Sequence, residues 1–317
     1  MTDLQPSAPG ATDSAVVDAG GAGPTALTPG AGMIATGTPP GALSDFWRRF
    51  RRNRLALLGL GMVGMMVLVA LFAPLLAPHS PYTQDLTQTL RGPSASHLFG
   101  TDQNGRDQLS RVIYGSRIAI EVGLASIFLA LVIGVVFGAT AGYLGRGWDA
   151  TIMRVADVFF AFPLLIGAIL IILVLGRGVS SVIIALAVFS WATSARLLRS
   201  SILSVRENEY IEAARSLGAS RWRIVTRHVL PNSIAPLIVY GAVSVGVAIV
   251  AEVSLAYLGA GPNADNPDWG NMIAAGQSFL GYKDFMWFFP SMAVVFTVLG
   301  FVFMGDGIRD ALDPKLR

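Results

Sequence analysis

The sequence predicts an all-α polytopic membrane protein with six transmembrane helices. Of its 317 residues, 53% are hydrophobic and only 14% are charged, whereas soluble domains carry about 25% charged residues. Six windows contain no charged residue and approach the length of about 20 residues that crosses a bilayer as a helix. These windows are 55–78, 122–145, 158–176, 178–195, 232–251 and 285–305.

The chain divides into a tail and a membrane domain. Residues 1–43 are rich in Gly, Ala, Thr, Pro and Ser and lack a large apolar cluster, which is typical of a disordered segment. We therefore predict a disordered cytoplasmic tail over 1–43 and a transmembrane domain over 44–317. The third and fourth windows are short and separated only by Arg177, but their combined length favours two spans.

The distribution of arginine predicts the orientation of the spans. Arginines are concentrated just before the first window and in the long loop between the fourth and fifth windows. Because cytoplasmic loops carry an excess of Lys and Arg, we predict that both termini and that long loop lie in the cytoplasm. The net charge of +3 gives no reason to invoke nucleic acid as a partner.

No catalytic or cofactor-binding site can be recognised in the sequence. Cysteine is absent, and neither Lys283 nor Lys315 is followed by the Ser or Thr of a phosphate-binding loop. The three histidines His79, His97 and His228 lie too far apart along the chain to form a recognisable metal site. An Asp-rich stretch from Asp102 lacks the glycine and glutamate positions of a calcium-binding EF-hand loop. We predict no enzymatic activity, no cofactor and no metal in this chain.

The long cytoplasmic loop carries a helix, a glycine turn and a second helix over 207–230. Tyr210, Ile211, Ala214 and Leu217 fall on one face at helical spacing, and the next residue, a glycine, suits the left-handed end of a helix. Ser220 is placed to cap the second helix. From this pattern alone, a hairpin lying on anionic lipid and a docking surface for a protein partner both remain open.

Four motifs together resemble the permease subunit of ABC importers, specifically the C-type subunit of dipeptide, oligopeptide or nickel systems. The first has Glu-Ala-Ala at 212–214, Gly218 and Leu-Pro at 230–231, with His228 where the general signature has isoleucine. The others are 97–102 with 105–107, 258–261 with 268–271, and 305–314. The resemblance extends over about 46–317.

This resemblance implies a type I permease fold in the bacterial plasma membrane and a set of partners. The implied partners are a homologous second permease, two ABC ATPases that bind ATP and Mg²⁺, an extracytoplasmic peptide-binding protein, and membrane lipid. The residues implied to couple to an ATPase are Glu212, Ala213, Ala214, Ser216, Leu217, Gly218, Ala219, Ser220 and Trp222.

The resemblance also assigns a role to Glu252, which ends the fifth window where the resembled family carries an acidic residue. We predict that Glu252 lines the outer mouth of the translocation path and meets the amino terminus of a peptide. The connector around Asp102–Asp107 is interpreted either as a rigid turn that contacts the pore or a binding protein, or as a plain structured connector.

Alternative functions remain open from the sequence. A stand-alone secondary transporter or channel needs buried coupling carboxylates or a filter, and the centres of the six windows carry no charge. An intramembrane enzyme needs catalytic groups at membrane depth, and none is visible. For an importer, the resemblance implies di- or oligopeptides as the cargo, with nickel or another non-peptide solute as the alternative.

Overall fold

The computed structural model describes residues 42–263 and 265–312, and within them it is helical, with one isolated β-bridge between Thr101 and Asp107. The predicted tail lies outside the described residues except at its end, where the first helix begins at Ala42. Of the motif at 305–314, the structure describes the residues up to Leu312.

The helices follow one another in chain order with short connections. Before the first long connector lie α1 (Ala42–Phe50), α2 (Arg54–Leu71) and α3 (Ala73–Leu76). That connector contains a 3₁₀ turn (Leu86–Gln88) and leads to α4 (Gln108–Leu144), α5 (Arg146–Ala161), α6 (Leu164–Leu175), α7 (Val179–Val205), α8 (Glu209–Ser216) and α9 (Arg221–Ile224). A π-helical turn (Val225–Val229) then precedes α10 (Leu230–Ser233), α11 (Ala235–Tyr257), α12 (Trp269–Gln277) and α13 (Phe285–Leu312).

Among the residues that the structure describes, five helices are long and apolar enough to cross a membrane: α2, α4, α7, α11 and α13. A sixth crossing requires α5 and α6 together, and this pair is bent by 94°. The bend lies at Phe162 and Pro163, where Phe162 is extended, with φ −92° and ψ 131°. A residue before proline is pushed out of the helical region, so the window 158–176 does not form one straight helix.

The centre of the bundle is a close packing of α4 against α7 along a ridge of small residues. A methyl group on Gly138 would lie 2.6 Å from the carbonyl oxygen of Ala195, and one on Gly142 would lie 2.9 Å from Ile202. A methyl group added at Gly134 would likewise collide with Ser194. Glycines spaced by four residues let two helix backbones approach closely, and here they serve packing within this chain.

The helix α4 separates two ends of the molecule that matter for function. It has 37 residues and is therefore about 55 Å long. The connector over 77–107, hereafter the connector, joins its amino-terminal end, while Tyr143 and Leu144 at its other end line a cavity with Arg221 and Ile224. The connector and the α8–α9 segment thus lie at opposite ends of the bundle.

Candidate functional site

The α8–α9 segment has the local structure that the sequence predicts. After α8, the N–H of Ala219 donates to the carbonyl of Ala214 at 3.1 Å and the N–H of Gly218 donates to that of Arg215 at 3.0 Å. These two bonds form a Schellman motif, which needs a left-handed residue, and Gly218 has φ +79°. Ser220 then accepts a hydrogen bond from the N–H of Arg223 and caps α9.

Two buried isoleucines hold this segment against the bundle. Ile211 of α8 is fully buried and Ile224 of α9 is nearly so. Both pack with Leu198 and Ile202 near the end of α7 and with Leu237 at the start of α11. Because these anchors join α8 and α9 to two membrane helices, a force on the segment is transmitted to the bundle.

The opposite side of the segment is open and partly apolar. Leu217 is 89% exposed and Trp222 is 77% exposed. Burying such side chains in a protein partner is worth about 1.5–3 kcal/mol each. Of the nine residues implied to couple to an ATPase, Ala214 and Ala219 are partly buried, and seven are exposed: Glu212, Ala213, Ser216, Leu217, Gly218, Ser220 and Trp222.

The predicted apolar face of α8 is divided between these two sides. Ile211 is buried in the bundle, whereas Tyr210 and Leu217 project from it. Beside α9, a groove of about 480 Å³ has an almost entirely apolar lining that includes Ala139 and Val225. Within the part of the chain that the structure describes, Glu209, Glu212 and Arg215 form no ion pair, so their charges face solvent.

The structure places Glu252 in the interior of this chain, and its predicted role at the outer mouth of the translocation path stays a prediction. Its side chain is 1% exposed, and α12 covers it because Gly270 allows that helix to pack directly on the backbone of α11. Glu252 lies beside Asp268, the residue that caps α12. Among the described residues, one oxygen of each carboxyl group has no hydrogen-bond partner.

The connector is closed by its own polar side chains. The Asp102 carboxylate accepts from the Arg106 guanidinium at 2.7 Å and from the backbone N–H groups of Asn104 and Arg106. Asp107 caps α4 by accepting from the N–H of Ser110 at 2.8 Å. The Asp102 carboxylate is therefore already paired with Arg106. These hydrogen bonds hold the loop in one shape, as expected of a structured connector.

The prediction that the histidines lie too far apart is wrong for His79 and His97. Their ring centroids are 4.8 Å apart, and both rings face Asp107. The connector folds back on the start of α4, and this reversal joins residues that are distant along the chain. The single signal in the sequence was the concentration of turn-forming residues between them, which does not specify which residues meet.

Comparison with protein families identifies the chain over most of its length. Residues 134–317 match the family described as binding-protein-dependent transport system inner membrane component. Residues 41–93 match the N-terminal transmembrane domain of oligopeptide transport permease C. The first match covers more than half of the chain and includes the α8–α9 segment.

Two curated relatives are similar across the same region. The dipeptide transport system permease protein DppC of Alkalihalophilus pseudofirmus is 40% identical over 273 residues, covering 86% of this chain and 90% of the relative. The glutathione transport system permease protein GsiD of Pectobacterium atrosepticum is 39% identical over 275 residues, covering 86% and 91%.

Solved structures show the same fold at lower identity. An inward-facing form of the MetNI methionine ABC transporter superposes with a TM-score of 0.55 at 20% identity, covering 65% of this chain and 98% of that chain. This likeness concerns the arrangement of helices. Together with the family match and the relatives at about 40% identity, it shows that the chain belongs to the binding-protein-dependent transport system inner membrane components, the permeases of ABC importers.

Proposed function

We propose that this chain forms, with a homologous second permease, the membrane path of an ABC importer for dipeptides or oligopeptides. The relatives described above are named for dipeptide and glutathione transport, and glutathione is itself a small peptide. Family membership implies an external binding protein and partner ATPases in general terms. The peptide cargo, the second permease and the pairing with two ATPases belong to the proposal.

The observation that carries the coupling role is the exposed, rigidly anchored turn between α8 and α9. Leu217 and Trp222 project from it, while Ile211 and Ile224 fix it to the bundle. A partner ATPase that covers the turn buries those apolar side chains. The charges of Glu212 and Arg215 then set orientation and specificity more than affinity.

In the proposed cycle, ATP and Mg²⁺ bind to the ATPase subunits and their closure displaces the α8–α9 turn. The displacement passes through Ile211 and Ile224 to α7 and α11, because closely packed interiors transmit strain. Since α7 packs along α4 at the centre of the bundle, these helices are the ones expected to open the path. The chain contributes mechanical coupling and a path, and the partner ATPases perform the hydrolysis.

The test compares Leu217→Glu with a matched control, Leu98→Glu, in the full complex reconstituted with its binding protein. Leu98 is 60% exposed and lies in the connector, at the other end of α4. Both variants are expected to insert with normal thermal stability, because substitutions of exposed side chains change stability by about 0.5 kcal/mol or less. ATP-dependent uptake of a labelled dipeptide is expected to fall at least ~10-fold in Leu217→Glu, the effect of losing ~1.4 kcal/mol of coupling.

Three outcomes separate the parts of the proposal. Normal uptake by stable Leu217→Glu contradicts the coupling role of the turn. An equal loss in Leu98→Glu shows that the effect is not specific to the α8–α9 segment. ATP-dependent uptake of Ni²⁺ with none of a peptide contradicts the cargo while leaving the importer assignment intact.

A further inference from the structure

Two histidines and one aspartate converge at the start of α4. The Nδ1 atom of His97 lies 2.8 Å from Oδ1 of Asp107, and the Nδ1 atom of His79 lies 3.7 Å from the same oxygen. One nitrogen from each ring and one carboxylate oxygen all lie within 4.8 Å of one another. These are two imidazole donors and one carboxylate donor around one point.

The surrounding structure fixes each of the three side chains. The backbone N–H of His79 donates to Oγ of Ser110 at 3.1 Å, which ties this residue to α4. His97 lies in a turn, where its carbonyl accepts from the N–H groups of Ser94 and Gly100. Oδ2 of Asp107 accepts from the N–H and hydroxyl groups of Ser110. These bonds orient the carboxylate and leave Oδ1 facing the two histidines.

We propose that His79, His97 and Asp107 form a binding site for a divalent transition-metal ion of the Zn²⁺ class. Two imidazole nitrogens and one carboxylate are a donor set that suits zinc. A tetrahedral zinc site with bonds of about 2.0–2.2 Å separates its ligands by about 3.3–3.6 Å. The two nitrogen-to-oxygen distances of 2.8 and 3.7 Å bracket this separation. All three ligand atoms lie within 4.8 Å of one another, so metal binding requires the two imidazole rings to rotate towards a common point.

Metal binding is compatible with the tautomers that a histidine ring can adopt. The neutral imidazole of His97 can carry its proton on Nε2, which frees the Nδ1 lone pair for the metal. Water would supply the fourth ligand and would reach the site past His79, whose side chain is 45% exposed. The Asp107 side chain is 1% exposed and that of His97 is 11% exposed, so the charged ligand lies on the protected side.

A plain hydrogen bond accounts for only part of this arrangement. It explains the contact between His97 and Asp107, but among the described residues the ring of His79 donates and accepts no hydrogen bond. Ca²⁺ and Mg²⁺ prefer sites made of oxygen ligands, so two imidazoles select against them. A metal at this point would clamp the chain that follows α3 to the connector turn and to the first turn of α4.

The site does not depend on the proposed function, because it lies at the opposite end of α4 from the α8–α9 segment. The experiment titrates Zn²⁺ into the full-length chain, with any subunits that co-purify, in lipid nanodiscs and with an affinity tag free of histidine. Isothermal titration calorimetry gives stoichiometry and affinity. One Zn²⁺ per chain is expected, with binding that an excess of Mg²⁺ does not displace.

His79→Ala is the main variant, because its exposed ring contributes least to folding. Even partners outside the ligand shell are worth about 10–100-fold in metal affinity, so loss of this ligand is expected to weaken Zn²⁺ binding by at least ~10-fold. His79→Cys supplies a thiolate ligand and is expected to retain tight binding. His228→Ala removes the remaining histidine, which lies in the π-helical turn before α10, and is expected to match the wild type.

The thermal stability of the same samples gives a second reading. Zn²⁺ is expected to raise the melting temperature of the wild type and of His228→Ala, and a chelator to reverse the rise, because a ligand that binds only the folded state stabilises it. The proposal is overturned if the wild type binds no Zn²⁺. It is equally overturned if folded His79→Ala binds Zn²⁺ as tightly as the wild type.

Discussion

The connector and the α8–α9 segment are two loops at opposite ends of α4, and they differ in the kind of side chain that they bury. In the connector, the buried side chains of Asp102, Arg106 and Asp107 find hydrogen-bond partners within the chain. In the α8–α9 segment, Leu217 and Trp222 are left exposed. The connector therefore pairs its buried charges internally, although it also leaves Leu86 and Leu98 exposed. In the α8–α9 segment, the exposed apolar side chains are the ones that the proposed ATPase partner would cover.

This difference follows from the kind of interaction that fixes the shape of each loop. The α8–α9 turn uses backbone hydrogen bonds at Gly218 and one serine cap to fix its shape, and only Ile211 and Ile224 of its two helices are buried in the bundle. The connector instead encloses charged groups, which must be paired because an unpaired buried charge is costly. A rigid but uncovered turn is the form expected of a surface that another subunit pushes.

The largest expected effect is a difference in chemical labelling between the two loops, because we predict that they lie on opposite sides of the membrane. The chain has no cysteine, so Ser96→Cys in the connector and Ser216→Cys in α8 each create one reactive thiol at an exposed position. With both termini in the cytoplasm, a membrane-impermeant maleimide is expected to label Ser96→Cys in intact cells and Ser216→Cys only after permeabilisation. Labelling of both in intact cells would contradict the assignment of the two loops to opposite sides of the membrane.

A smaller but clear effect is expected on stability at two glycines. Gly105 of the connector and Gly218 of the α8–α9 turn have similar dihedral angles, φ +72° and φ +79°. A methyl group on Gly105 would collide with the backbone of Asp85, whereas one on Gly218 would meet no atom within 4 Å. Gly218→Ala is therefore expected to cost only the left-handed conformation, about 1–2 kcal/mol, and Gly105→Ala to cost substantially more.

The measurement is the melting temperature of each variant in detergent, with Gly147→Ala as a control at a glycine that has open space and no positive φ. Equal losses at the two positions would mean that the connector is not the more tightly packed loop. Gly218→Asn refines the result, because asparagine tolerates the left-handed conformation. It is expected to keep more uptake than Gly218→Ala if the glycine serves the turn.

Features set by neighbouring residues could be predicted from the sequence, and features set by distant residues could not. The apolar helices, the glycine turn at Gly218 and the cap at Ser220 depend on short windows, and the structure confirms them. The 94° bend in 158–176 is local as well, because it lies at Pro163 within that window, although hydropathy alone does not show it. The meeting of His79 with His97 depends on a chain reversal that no local pattern specifies.

Glu252 shows the same limit within the candidate site. The residue stands where the resemblance placed an acidic group, but its exposure depends on α12, a helix in the segment between the fifth and sixth windows. Gly270 brings α12 directly onto α11, and Asp268 at the start of that helix lies beside the Glu252 carboxyl group. The predicted contact with a peptide stays a prediction, and it requires α12 to move away from the Glu252 carboxyl group.

The smallest expected effect is that of Glu252→Gln. The glutamine amide has the shape of the carboxyl group and adds a donor next to the unpartnered oxygen of Asp268. Satisfying a buried acceptor is worth about 1–3 kcal/mol, so the melting temperature is expected to stay equal or rise slightly. Uptake and its half-saturating peptide concentration are expected to stay unchanged, because the side chain is buried within this chain. A weaker apparent peptide affinity in a stable Glu252→Gln variant would instead place this residue in the path, and would mean that α12 moves away from α11 during transport.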